Sequence, residues 1–365
     1  QVIEVLGLPG NNDTEMNAIM AEYELPVKFA PNVLKAAEKI SMDLPEEEVK
    51  KRLDMRPVVT FTIDPKDAKD FDDALSVREL GKGIYEVGIH IADVSYYVKE
   101  NTVLDREAYA RATSVYLVDR TIPMLPEKLS NGVCSLRPDE DKLCFSAIFK
   151  MDGNAQVLDQ WFGRTVIRSN RRFTYEDAQA IIEGADGDYR KEILLLNDLA
   201  QKLRAERFKA GAIDFDRVEV KFDLDEAGKP LGVYFKRSKE ANKLIEEFML
   251  LANKKVAERI GKPKAGKKAP TFVFRVHEKP LPEKLEDFNR FIAKFGYGVK
   301  TSSRKALTGS MNKLMSDVKD KPEQNLIETL AVRTMAKAAY STDNLGHYGL
   351  AFDFYTHFTS PIRRK

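Results

Sequence analysis

Hydrophobic positions along the chain change period several times, and each change marks an element. Val2, Ile3, Val5 and Leu6 predict a strand closed by Gly7 and Pro9-Gly10. Asn12-Asp13-Thr14 offers caps for a helix over 15–24. Pro31 opens a second helix reaching 40, and Pro45 opens a third, acidic one. Between 57 and about 168 the pattern is mostly that of strands. The clearest are 58–63, 74–77 and 84–92, with a turn signal at Asp152-Gly153. Helical spacing returns over 175–183 and 188–210, where Gly211 supplies a stop. A strand pair over 218–224 and 231–236 is joined through Gly228.

From 242 to 258, Leu244, Ile245, Phe248, Leu251, Ala252 and Val256 recur at helical spacing. Glu246, Met249 and Asn253 share one side of that helix, while Glu247 falls between Lys243 and Lys254, as a solvent ion pair would. Residues 281–297 form an amphipathic helix, 301–307 a polar loop, and Pro322 opens a helix reaching 340. No internal repeat interrupts the series.

Composition narrows the class. The 365 residues are 43% hydrophobic and 32% charged, enough to bury a core in one large domain or two. Net charge is only +2, so a polyanion partner would have to be met by local clusters of base. Cys134 and Cys144 make neither a metal pattern nor a disulfide framework, and no apolar run is long enough to span a bilayer. A reduced cytoplasm and a monomer are the default expectations. The four histidines, His90, His277, His347 and His357, are too scattered in sequence to suggest a metal site. The run 261–268 nearly matches a phosphate loop but lacks its Ser/Thr and follows a helix, so it reads as a basic loop.

Chemistry concentrates between the first two clear strands. Asp64, Asp67, Asp70, Asp72 and Asp73 fall within ten positions. Carboxylates so close stay ionised together only beside positive charge. Hard divalent cations prefer such oxygens, which points to metal-assisted phosphodiester chemistry. An acidic solvated turn or a structural Ca²⁺ loop fits the spacing as well, although the Gly and Glu of the usual Ca²⁺ loop are missing.

The whole stretch, TIDPKDAKDFDDA over 62–74, resembles the catalytic loop of the ribonuclease II / ribonuclease R family of 3′-to-5′ exoribonucleases. Further ordered matches are HIADVS over 90–95, TSVYL over 113–117, IPMLP over 122–126 and LSNGVCSL over 129–136. They continue with GAIDF over 211–215, RVHE over 275–278 and HFTSPIRR over 357–364. AIDF over 212–215 favours the ribonuclease R branch.

The resemblance implies an α+β fold, a mixed and mostly antiparallel twisted sheet flanked by helices that form an RNA channel. It implies the end of an RNA-binding β-barrel over 1–10, a helical linker over 11–56, and a catalytic domain over 57–365. That domain lacks its C-terminal completion, for Lys365 stands where the family shows an aromatic. It implies processive, hydrolytic degradation of single-stranded RNA to 5′-nucleoside monophosphates with Mg²⁺, Mn²⁺ being the alternative ion.

By the same resemblance Asp64, Asp70, Asp72 and Asp73 bind the metal, Asp64 and Asp73 most directly. Asp70, Asp72 and Arg363 act on the scissile phosphate and the attacking water, and Asp67 is extra to the set. Tyr116 packs on the 3′-terminal base, Phe215 closes the far end of the base stack, and Tyr175 and Glu246 lie near the last sugars. Other readings are an inactive RNA-binding member of the same fold and another metal-dependent phosphodiesterase, a DNA nuclease among them.

Overall fold

The alternation read along 58–92 becomes the middle of a seven-stranded sheet. A computed structural model describes the chain except residues 1, 3, 4, 215–218, 226, 227 and 264–268. The sheet strands are β1 (Leu53–Asp54), β2 (Thr60–Asp64), β3 (Asp73–Gly81), β4 (Ile84–Ala92), β7 (Asp141–Asp152), β8 (Val157–Arg168) and β9 (Arg171–Thr174). A separate small ribbon, β5 (Val115–Tyr116) and β6 (Thr121–Ile122), lies between β4 and β7 in the chain. The sheet order is β1-β8-β7-β4-β3-β2-β9. Its four hairpin-type pairings are antiparallel, whereas the outer pairs β1/β8 and β2/β9 are parallel. The β3–β4 connection is the two-residue Lys82-Gly83, both at positive φ (55° and 70°). Glycine carries this without strain, and the twist of such a turn matches the strands it joins.

Period-two alternation then builds a core on each face of the sheet. Phe61, Ile63, Leu75, Val77, Val87, Ile89 and Phe149 face α6 (Tyr175–Ile182), α7 (Arg190–Lys209) and α8 (Glu240–Gly261). Ala74, Ala92, Cys144, Ile148 and Ile167 face the other way. They meet residues of α2 (Pro31–Glu38), α4 (Val94–Tyr97) and α5 (Val103–Arg111), and a π-helical turn over Lys128–Val133. Ahead of these lie α1 (Asn12–Glu22) and α3 (Glu46–Lys50). The hairpin β10 (Glu219–Leu224) and β11 (Pro230–Lys236) precedes α8. Strand β12 (Phe274–Val276) pairs with β13 (Ala339–Ser341), and between them α9 (Pro282–Ala293), α10 (Arg304–Asp317) and α11 (Gln324–Thr334) enclose a third core. Among the described residues no helix is long and apolar enough to cross a membrane. Both cysteines are free and buried.

Several boundaries differ from the sequence reading. Helix α1 begins earlier than expected and gains no side-chain cap. The 301–307 stretch is not a loop, because Ser303 accepts from the Ala306 N–H and starts α10. The helix opened near Pro322 ends at Thr334, and 339–341 pairs as β13. The predicted strand at the N-terminus falls partly on residues outside the description, and Val2, Val5 and Leu6 are not in a strand. The basic run at 264–268 lies outside the described residues.

One polar network sits inside the sheet. His90 Nδ1 meets the Ser146 hydroxyl at 2.7 Å and Nε2 meets that of Ser76 at 2.8 Å, while Ser146 bonds Thr165 at 2.6 Å. Burial lowers the His90 pKa to about 3, so the folded protein keeps it neutral. An unfolded histidine takes a proton near pH 6.5. The unfolded state therefore binds more protons as pH falls, and stability is lost through this window. Replacing His90 by Gln, which keeps polar partners for the serines but cannot titrate, isolates the effect. Between pH 6 and 4.5 the unmodified protein should lose up to about 1.4 kcal/mol more per pH unit than His90→Gln. Parallel stability profiles from urea unfolding would show that the ring is protonated in place.

Candidate active site

The acidic stretch begins where β2 ends and finishes where β3 begins, so Asp64 and Asp73 are anchored by strand pairing. The loop between them is pinned from three directions. Arg172, on β9, donates to the carbonyls of Pro65 (2.5 Å) and Lys66 (3.0 Å). Ser135 donates to the Lys69 carbonyl (2.9 Å) and accepts from the Phe71 N–H (3.0 Å). Phe71 is itself buried in the second core, and its carbonyl accepts from Leu136 N–H. The Asp72 carbonyl accepts from Ala92 N–H at 3.0 Å. Five aspartates would otherwise favour an open, solvated turn. Here only Asp67 and its lysine neighbours Lys66 and Lys69 are exposed. Ser135 belongs to one of the segments singled out in the sequence. Arg172 carried no signal there, because its role depends on β9 pairing beside β2.

Arg363 reaches this loop from the far end of the chain. Its Nε lies 3.0 Å from Asp70 Oδ2 and 2.8 Å from Asp72 Oδ2, and its Nη2 donates to the Asp70 carbonyl at 3.1 Å. The neighbouring Ile362 N–H donates to Asp72 Oδ1 at 3.0 Å. Asn253 on α8 secures this segment from behind: its Oδ1 accepts from the N–H groups of Phe358 (2.8 Å) and Thr359 (3.1 Å). Burial pushes the Asp64 carboxyl up to about 6, Asp72 to about 7 and Asp73 to about 8, with mutual repulsion adding to it and Arg363 opposing it. Asp64 is 6% exposed and Asp72 2%, so both are held at the cost of desolvation.

These residues suit a hard divalent cation. The donors are carboxylate oxygens, and Asp64 Oδ2 is buried without a hydrogen-bond partner, an arrangement costly to leave unmatched. As they stand, no three His, Cys, Asp or Glu side chains among the described residues are grouped to hold one ion. Asp70 and Asp72 are instead engaged by Arg363.

The aromatic candidates divide. Tyr116, on β5, has 53% of its surface exposed, and the Arg363 guanidinium stands 5.8 Å from its ring centroid. Partial burial pushes its phenol up to about 12, with Asp70 and Asp72 acting in the same direction. Tyr175 opens α6, packs on the first core and lies under Lys236, 5.9 Å from the ring centroid. Burial raises its phenol too, and Asp73 and Asp64 add to this. Phe215 lies outside the described residues.

Glu246 sits on α8, and its carboxyl is raised by burial. Its ion-pair partner among the described residues is Arg207, at 3.7 Å. Glu247 is not the solvent-paired residue that its lysine neighbours suggested. It is 3% exposed and holds Arg207 of α7 through both carboxylate oxygens. Spacing along α8 could not show this, because the partner comes from another helix.

Of the later histidines, His277 and His347 meet directly, and His347 and His357 each pack edge-on against Tyr355, at 5.2 and 5.9 Å between ring centroids. His277 and His347 are 5.0 Å apart by ring centroids, and the Tyr340 hydroxyl meets His357 Nδ1 at 2.6 Å. His90 stays apart, inside the sheet.

Comparison with known proteins adds three findings. Residues 52–364 match the RNB domain. Ribonuclease R of Aquifex aeolicus is 41% identical over 375 residues, covering all of this chain and 52% of that protein. RNase R of Mycoplasma genitalium, solved in complex with ribose-methylated single-stranded RNA, superposes with a TM-score of 0.90 at 28% identity, over 99% of this chain and 56% of that one. The same protein in complex with double-stranded RNA gives 0.91. The chain spans about half the length of the curated relatives it matches.

Proposed function

The chain belongs to the RNB-domain family, and from that premise we propose that it is the catalytic part of a hydrolytic 3′-to-5′ exoribonuclease. Its substrate would be single-stranded RNA, degraded processively to 5′-nucleoside monophosphates. The observation that carries the reading is the union of a buried acid cluster with a guanidinium and an exposed tyrosine ring at one place. We read 11–56 as a helical lead-in and 57–365 as the catalytic body, acting in the cytoplasm on RNA rather than at a membrane.

Asp64 and Asp73, with Asp70 and Asp72, would hold Mg²⁺ or Mn²⁺, which would supply positive charge to the scissile phosphate and acidity to the attacking water. The chain's own residues do the rest. Ser135 and Arg172 keep the acid loop in register. Arg363 offers a guanidinium whose fork matches phosphate oxygens and stabilises charge that grows in the transition state. Tyr116 offers a face for the 3′-terminal base, and Tyr175 a hydroxyl near the last sugar. Stacking ignores base identity, which suits an enzyme moving through any sequence. Glu246, in company with Arg207, is assigned with Tyr175 to the sugars of the last nucleotides, and Phe215 to the far end of the base stack.

The direct test uses 5′-labelled and 3′-labelled single-stranded RNA with and without Mg²⁺. The 3′ label should appear at once as mononucleotide, while the 5′ label shortens to a small limit product, only when metal is present. Internal fragments, or equal cleavage of DNA of the same sequence, would refute the proposal. Tyr116→Ala should weaken RNA binding by about 5- to 150-fold, the equivalent of roughly 1–3 kcal/mol of lost stacking, and lengthen the limit product. Tyr116→Phe should change little. An unaltered limit product on a sequencing gel with Tyr116→Ala would remove the stacking role.

A further inference from the structure

We infer that Arg363 is a built-in counter-cation for the acid cluster, and that it must let go of Asp70 and Asp72 before a divalent cation can use their oxygens. The inference rests on the reading of the four aspartates as a metal site.

Of the four aspartates, two are paired with Arg363 and two are not. Asp70 and Asp72 share one guanidinium, with contacts of 2.8, 3.0 and 3.3 Å. Asp64 and Asp73 have no such partner in an ion pair among the described residues, and Oδ2 of both Asp64 and Asp72 is buried without a hydrogen bond. Arg363 cannot drift off at little cost, since it is held by more than charge. Its Nη2 also bonds the Asp70 backbone carbonyl, and the chain just before it is fastened by Ile362 N–H to Asp72.

Such a tethered cation has two consequences. It allows a buried acid loop to fold before any metal arrives, which four adjacent carboxylates could not readily do unaided. It also lowers the apparent affinity for the ion, because only the fraction of molecules with Arg363 released is competent to bind through all four acids. The coupling is reciprocal: a cation on Asp70 and Asp72 weakens the hold on Arg363 by the same factor. The guanidinium then becomes free for a phosphate at the moment the site is loaded. Arginine thus serves the acids first and then the substrate.

The test is binding of Mn²⁺ alone, followed by loss of the free-ion paramagnetic resonance signal, with no RNA and no turnover. Arg363→Gln should bind Mn²⁺ about 5- to 150-fold more tightly than the unmodified protein, the usual span of coupling between two ligands. Arg364→Gln is the control for simple loss of nearby charge, because that guanidinium lies on the His357 ring, 2.9 Å from Nδ1. It should tighten binding by no more than about 2-fold, as expected for an exposed, screened charge. Arg363→Gln should also melt at a lower temperature in EDTA, and Mn²⁺ should close most of that gap.

Equal Mn²⁺ affinities for Arg363→Gln and Arg364→Gln would overturn the inference while leaving the metal site standing. Failure of the unmodified protein and both variants to bind Mn²⁺ would overturn the metal reading and the inference with it. If Arg363→Gln does not fold without metal, Arg363→Lys carries the same comparison, since it keeps the charge but loses the two-pronged contact. A smaller tightening that still exceeds the control supports the inference, and equality with the control again overturns it.

Discussion

Asp72→Asn should reduce RNA cleavage by on the order of 10³-fold, about 4 kcal/mol of barrier, while RNA binding stays equal or improves. The expectation comes from what each oxygen of Asp72 does. One accepts from the Ile362 N–H and the other faces Arg363 Nε. Asparagine has the same shape, so its carbonyl oxygen can keep the Ile362 bond and the fold with it. It cannot supply the second charge. Its amide nitrogen would turn toward Arg363, where a carboxylate now sits at 2.8 Å. On the proposed reading, the loss falls on the centre that would gather cations around the scissile phosphate. Ground-state affinity is spared, because one negative charge near the RNA backbone has gone. Binding measured by filter retention and turnover measured under single-turnover conditions separate the two terms. A parallel fall in both, with a lower unfolding midpoint, would show that Asp72 is structural.

The acid loop was legible because its chemistry is local. The five aspartates and the two strands beside them are contiguous, and β4 falls on the same residues that its alternation marks. The sheet's middle and the long helices α7 and α8 were legible for the same reason, since each buries a face over many residues. What escaped was set by partners distant in sequence. Nothing near Arg172 or Ser135 says that either will hold the acid loop, and β9 reaches β2 by a parallel pairing that local periodicity cannot announce. Separation along the chain hides that His277 and His347 are neighbours, because the β12/β13 pairing draws them together. Arg363 was assigned to phosphate through resemblance. Its hold on Asp70 and Asp72 depends on how the fold brings the two ends of the chain together. Glu247 shows the sharpest contrast, since its immediate helix neighbours argue for solvent and its packing against α7 places it inside.

Glu247→Ala should therefore destabilise the protein by about 3–5 kcal/mol, the usual result of stripping one partner from a buried ion pair. A surface pair would cost under about 1 kcal/mol. Arg207, itself 9% exposed, now lies between α7 and α8 with two contacts of 3.2 Å from its Nε to the Glu247 oxygens. Without Glu247 the guanidinium would keep its desolvation and lose the charge that offsets it. Its remaining acid within reach is Glu246, at 3.7 Å. Arg207 should then be drawn toward Glu246 and take that carboxylate away from any sugar it serves. Weaker RNA binding should accompany the lost stability, without the collapse of turnover expected for Asp72→Asn. Replacing both partners by apolar residues of similar size, Arg207→Met with Glu247→Leu, removes the unpaired charge and should recover most of the stability. Urea unfolding of the two single variants and the double one completes the cycle. If Glu247→Ala costs less than about 1 kcal/mol, the pair is exposed in solution and the reading from spacing alone was right.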